Sequence, residues 1–238
     1  MNYRQIYEKV MPESKRKEER YNLWVTVAVR PLSVMFTIPF IKSSITPIQI
    51  TALSIVFSLL GFLCLGFGDS IQLRILGWLM FFFWAVLDGV DGNLARCTNR
   101  CSQLGDLWDT TGGYLAMVLM YFSGGLSAFY DYTASFKMDA YWMIIIGAST
   151  AIFSIFPRLV MHKKKSYGVE SKGIKELSEK RTFGVKQILA MNIVSPSGFM
   201  QIILLISILF GKMVYFNLFY FIVNSIILII SMWKLLKD

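Results

Sequence analysis

Asp88, Asp91 and Asp109 are the residues whose type and setting could do chemistry in this chain. The first two close an apolar run containing Trp78, three consecutive phenylalanines at 81 to 83, Trp84, Val86 and Leu87, without leaving the helical period. A carboxylate in hydrocarbon costs about 2.5 to 3.5 kcal/mol, so acids there are retained only where they face a wet, cation-bearing cavity. At about 100° per residue, Asp88, Asp91, Gly92 and Ala95 fall within an arc of about 100°, with Arg96 beside them. Two near-bare positions let a large guest approach the backbone. The acids supply hard oxygen ligands of the kind Mg²⁺ or Mn²⁺ prefers. A second helical pattern opens at Gly105, and Asp109 and Gly112 share its face. Three carboxylates at one depth repel one another unless a divalent cation neutralises them. Such a cation in turn clamps a pyrophosphate, so a nucleotide diphosphate is the natural guest.

The elements that position these residues read as membrane helices. Spans need about 20 apolar residues each, and six patterns qualify: Pro47 to Phe67, Gln72 to Arg96, Leu104 to Tyr130, Ala140 to Met161, Pro196 to Phe210 and Met213 to Leu235. The first opens on a helix-start signal, with Thr46 as cap, Pro47 in the first turn and Gln49 as capping-box partner. Upstream, Met1 to Arg20 is a charged tail. Tyr21 to Ile41 carries Arg30, Pro31 and Pro39 and reads as an amphipathic helix lying in the cytoplasmic interface. The expected class is therefore an all-α polytopic membrane protein, with residues 1–45 as tail and interfacial helix and 46–238 as a six-helix membrane domain. The longest cytoplasmic loop is expected from His162 to Ser195, its lysines, Lys180 and Arg181 among them, facing lipid head groups. Gly124 and Gly125 are expected at a close helix crossing. His162 is expected as a solvated interfacial residue, and Arg158 reads equally as a snorkelling anchor or a phosphate contact.

Composition agrees. With 55% hydrophobic and 15% aromatic residues, 238 residues make one membrane domain rather than a soluble core. The net charge of +9 could suggest nucleic acid, but its distribution argues against that partner. Of 24 Lys and Arg, 21 lie before Pro47, between Arg96 and Arg100, between Arg158 and Lys186, or from Lys234 onward; only Arg74, Lys137 and Lys212 lie in the opposite loops. The positive-inside tendency makes the rich set cytoplasmic, and with it both termini and the acid cluster. Anionic lipid and phosphate substrates are a second use of that charge. Cys64, Cys97 and Cys101 form no C-x-x-C pair and read as free thiols, too few with the single His162 for a zinc site. The polar first twenty residues do not read as a cleavable signal peptide.

Asp88, Asp91, Gly92, Ala95, Arg96, Gly105 and Asp109 together resemble the signature of the CDP-alcohol phosphotransferases, D-x-x-D-G-x-x-A-R, eight residues, then G-x-x-x-D-x-x-x-D. Seven of eight fixed positions match; the last Asp of the pattern falls at Gly113. The resemblance implies a membrane transferase of phospholipid biosynthesis. A CDP-linked alcohol or CDP-diacylglycerol-type lipid would be held with Mg²⁺ or Mn²⁺, an alcohol acceptor would attack, and CMP would leave. Asp88, Asp91 and Asp109 are then the expected metal ligands. Asp88, Gly92, Ala95, Gly105 and Arg96 are the expected nucleotide contacts, Arg96 offsetting phosphate charge. In the family the last Asp helps hold metal and acts as base, so Gly113 leaves the base unassigned. Asp106 is the candidate replacement, about 60° around the helix from Asp109 and about 10 Å along the axis from position 113; it reads also as a first-turn acid favoured by the helix dipole. Two other readings stay open: a degenerate member that binds nucleotide or metal without turnover, and an unrelated six-helix transporter whose acids line an ion path. A homodimer is an open assembly.

Overall fold

The computed structural model describes residues 3–13, 16, 19, 21–132, 139–169, 172–178 and 184–237. Ten helices are named here in chain order: α1 (Tyr3–Val10), α2 (Val25–Phe40), α3 (Pro47–Phe67), α4 (Ile71–Thr98), α5 (Gln103–Tyr130), α6 (Tyr141–Ser166), α7 (Lys172–Ser178), α8 (Val185–Val194), α9 (Phe199–Leu209) and α10 (Met213–Lys237). No strand occurs among the described residues. Five helices, α3, α4, α5, α6 and α10, are long and apolar enough to cross a membrane, and the pair α8–α9, bent by 51°, makes a sixth span if counted as one. The polytopic all-α class expected from the hydropathy is what the chain adopts.

The element starts follow local rules. Thr46 caps α3 as anticipated: its Oγ1 accepts from Gln49 N at 3.3 Å while Gln49 Oε1 accepts from Thr46 N at 2.8 Å. Ser70 caps α4 and Ser102 caps α5 in the same manner, accepting from Leu73 N and Gly105 N. Asn99 ends α4 in the left-handed region at φ 54°, a conformation Asn tolerates. Four residues, Asn99 to Ser102, thus turn the chain from α4 into α5, and the two acid-bearing helix ends face each other.

Two expectations need correction. The fifth span is not one straight helix from Pro196 to Phe210. α9 holds 11 residues, and the chain breaks at Ser195–Gly198, where Pro196 lacks an N–H and a Cβ on Gly198 would lie 2.7 Å from the Asn192 carbonyl. The segment from His162 to Ser195 is correspondingly not a loop: α6 runs on to Ser166, and α7 and α8 occupy much of the rest. Of its expected head-group contacts, Lys180 and Arg181 lie outside the described residues, as do Lys15, Lys17 and Lys137. α2, the segment expected to lie in the interface, turns its polar side inward. Ser33 and Thr37 are fully buried against α4 while Val27, Met35, Phe36 and Ile38 are exposed. Its first turn is widened, Arg30 N bonding to Val25 O, next to Pro31, which has no N–H to give.

The core lies between α4, α5, α6, α9 and α10, around Phe81, Met120, Tyr121, Met143, Leu204 and Tyr220. α5 and α6 cross at Gly125 and Gly147, where a Cβ on Gly125 would stand 2.8 Å from both Gly147 Cα and the Met143 carbonyl. Backbones approach this closely only where no side chain intervenes. At the end of the bundle away from the acids, Arg74 Nη1 donates to Asp131 Oδ1 and its Nε to the Gly68 carbonyl, tying the start of α4 to the end of α5. The N-terminal segment packs on the acid-bearing end: Ile6, Val10 and Met11 cluster with Val34 and Cys97, and Lys9 Nζ donates to the Cys97 carbonyl at 2.9 Å.

Candidate active site

The turn between α4 and α5 brings the residues singled out by their spacing into one place. Asp91, Gly92, Ala95 and Arg96 from α4 and Gly105, Asp106 and Asp109 from α5 line a single cavity of about 360 Å³. Asp88 is not on its wall. It sits one turn deeper, half-buried, with its carboxyl in hydrogen-bonding reach of Asp109 and close to Asp91. The three acids lie near one another, but only Asp91 and Asp109 reach the cavity wall.

Asp91 is buried, and its Oδ2 accepts a hydrogen bond from Thr51 Oγ1 at 2.5 Å. Thr51 belongs to the first turns of α3 and was not singled out by spacing. The available signal was a hydroxyl one turn inside a capped apolar helix. Gly112 explains how α3 comes so near: a Cβ there would meet Ile55 Cγ1 at 3.2 Å and Thr51 Cγ2 at 3.7 Å. Thr46, Pro47 and Ile48 complete the α3 wall, and Arg100 adds a second guanidinium from the turn.

Arg96 folds back over its own helix. A Cβ on Gly92 would lie 3.2 Å from Arg96 Nη2 and 3.3 Å from Nη1, so the missing side chain makes room for the guanidinium. Arg96 Nη2 donates to Asn93 Oδ1 at 3.1 Å, whereas its buried Nε has no hydrogen-bond partner among the described residues. A buried N–H without an acceptor is costly, and an anion in the cavity is the group that would satisfy it.

Two further positions bear on the base. A Cβ on Gly113 meets nothing within 4 Å, so the place where the signature has its last Asp is open space. Asp106 is exposed and lines the cavity rim. His162 is not merely solvated: its Nδ1 lies 3.1 Å from the Tyr114 hydroxyl. Neither residue of that pair lines the cavity, nor does the exposed Arg158.

Among the described residues, no group of three or more His, Cys, Asp or Glu side chains already stands in ligating geometry. The chemistry of the donor set nevertheless fits a hard divalent cation. Asp91 and Asp109 offer carboxylate oxygens on the cavity wall with Asp88 close behind them, beside hydroxyl and guanidinium groups, with Asp106 and the Cys101 thiol also on the lining.

A family model described as CDP-alcohol phosphatidyltransferase matches residues 44–233, most of the chain and all of the cavity-lining positions. No individual curated protein matches it.

Proposed function

The chain belongs to the CDP-alcohol phosphatidyltransferase family, and from that premise we propose that it moves a phospho-alcohol or phosphatidyl group from a CDP-linked alcohol to the hydroxyl of a second alcohol, releasing CMP on the cytoplasmic side of the membrane. Membership makes it a membrane transferase of phospho-alcohol groups; the donor, the acceptor and the place in phospholipid synthesis are the proposal. The observation that carries it is the convergence of seven signature-region residues from two helices on one cavity.

In this reading the acceptor oxygen bonds to the phosphorus of the transferred group, the bond from that phosphorus to the CMP oxygen breaks, and the acceptor proton passes to a base. Asp88, Asp91 and Asp109 would hold Mg²⁺ or Mn²⁺, which when bound neutralises the diphosphate and stabilises the departing CMP. Thr51 fixes the Asp91 carboxylate so that it need not reorganise when the guest arrives. Arg96 turns its unsatisfied Nε to a phosphate oxygen, and Gly92, Ala95 and Gly105 leave room for the nucleotide against the backbone. Asp106, at the rim, takes the acceptor proton in place of the missing acid at Gly113.

The open space at Gly113 favours one competing reading, a family member that binds nucleotide without turnover. Purified protein incubated with a panel of CDP-alcohols and alcohol acceptors, with Mg²⁺ or Mn²⁺, separates the two. CMP release above a control carrying Asp91→Asn supports the transferase. Stabilisation by CDP with no CMP from any pair supports the binding protein.

A further inference from the structure

Asn93 sits at the second residue after Asp91 and is fully buried, facing away from the cavity onto α2. All of its amide is used. Nδ2 donates to Ser33 Oγ at 3.3 Å and Thr37 Oγ1 at 3.4 Å, and Oδ1 accepts from two guanidinium groups, Arg96 Nη2 at 3.1 Å and Arg30 Nη1 at 3.3 Å. Few side chains offer two acceptor sites and two donors in one plane. Two cations meeting at one oxygen repel each other, and Glu19 meets that cost. It takes Arg30 Nε at 2.8 Å and Arg30 Nη2 at 2.5 Å in a two-pronged pair whose members are 12% and 14% exposed. Arg30 also lies near Asp88, so its charge, if not neutralised, would compete with whatever the acids bind. Glu19, Arg30, Ser33 and Thr37 all lie upstream of residue 44, where the family match begins.

We propose that Asn93 is a positioning residue for Arg96, and that the N-terminal segment, through Glu19 and Arg30, completes the active site by holding Arg96 over Gly92 and cancelling the second guanidinium charge. This rests on the reading of Arg96 as the phosphate contact. Asn93 acts from behind: it fixes Nη2 and leaves Nε, which has no hydrogen-bond partner among the described residues, for the anion. Ser33 and Thr37 hold the amide against rotation, which is why α2 turns those polar residues inward although its outer face is apolar. Glu19 makes Arg30 a neutral partner, so that the anion entering the cavity meets the charge of Arg96 without opposition from behind.

The test uses the full chain in detergent with Mg²⁺ present and two readouts. The first is the rate at which phenylglyoxal modifies Arg96, followed by mass spectrometry without nucleotide; Asn93→Ala is expected to raise it several-fold. The second is CDP affinity, expected to fall about ten-fold, or 1.4 kcal/mol, in Asn93→Ala and to fall no further in Asn93→Ala when Arg96→Ala is already present. Glu19→Gln should weaken CDP in the same direction and be restored by adding Arg30→Gln, which also serves if Asn93→Ala does not fold. An unchanged modification rate, or an additive loss in the double variant, overturns the inference. Faster modification with unchanged CDP affinity supports Asn93 as the holder of Arg96 and overturns the phosphate role of Arg96 instead.

Discussion

Thr51 and Gly92 show how much of the site depends on side chains that carry no charge. Thr51 donates to a buried carboxylate, and a hydrogen bond to a charged group is worth about 1.5 to 3 kcal/mol. Thr51→Val keeps the shape and removes the donor, so turnover is expected to drop by about ten- to a hundred-fold, with the melting temperature little changed; CMP release and a thermal melt measure the two. Gly92→Ala would place a methyl 3.2 Å from Arg96 Nη2, and a rise in KM for the CDP-alcohol larger than the fall in kcat is the expected result. The base is tested by a pair of variants. Asp106→Asn should abolish CMP release while CDP still binds. Gly113→Asp should add little, since the position is sterically open but an acid there has no vacancy in the chemistry to fill. A large gain in Gly113→Asp from an inactive parent would show that the chain had lost its base, and the transferase reading would fall with it.

At the scale of helices, the two that carry the acids were legible in advance because hydrophobic period, cap and turn residues agree there. α4 and α5 begin and end within two residues of the sequence expectation, and α3 on its expected bounds. Six of the seven matched signature positions, Asp91, Gly92, Ala95, Arg96, Gly105 and Asp109, line one cavity, whereas Asp88 lies off its wall. Less of the rest could be read, for physical reasons. α8 is a ten-residue apolar run after a basic stretch, too short to announce a span, and only its bend against α9 makes it half of one. Asn93 carries no periodic or motif signal, and its partners Glu19 and Arg30 are distant in sequence, so their convergence is a tertiary fact. The close crossing at Gly125 was visible as a small-residue pair, though its partner Gly147 was not. Gly125→Val would force side-chain atoms into the Met143 carbonyl, and overpacking of a tight contact costs about 1 to 3 kcal/mol. A lowered melting temperature is expected, and an unchanged one would mean that α5 and α6 separate without cost.

For the whole molecule, the charge asymmetry and the site make a joint claim about orientation that cysteines can test. The 21 to 3 distribution of Lys and Arg predicts that the turn between α4 and α5 faces the cytoplasm, where a water-soluble CDP moiety would enter. Cys101 lies in that turn, exposed and on the cavity wall, whereas Cys97, also expected on that side, is buried under α1 and α2. The native thiol reporter at the site is therefore Cys101 rather than the pair. An impermeant maleimide applied to intact cells should leave Cys101 unlabelled and should label a cysteine introduced at Lys212, between α9 and α10; in inside-out vesicles the pattern should reverse. CDP with Mg²⁺ should slow labelling of Cys101 in those vesicles, because nucleotide and reagent compete for the same cavity, and Asp91→Asn should remove that protection. Labelling of Cys101 from outside would invert the molecule and deny the nucleotide its route. Labelling from inside without protection by CDP would keep the orientation and move the nucleotide away from the cavity between α3, α4 and α5.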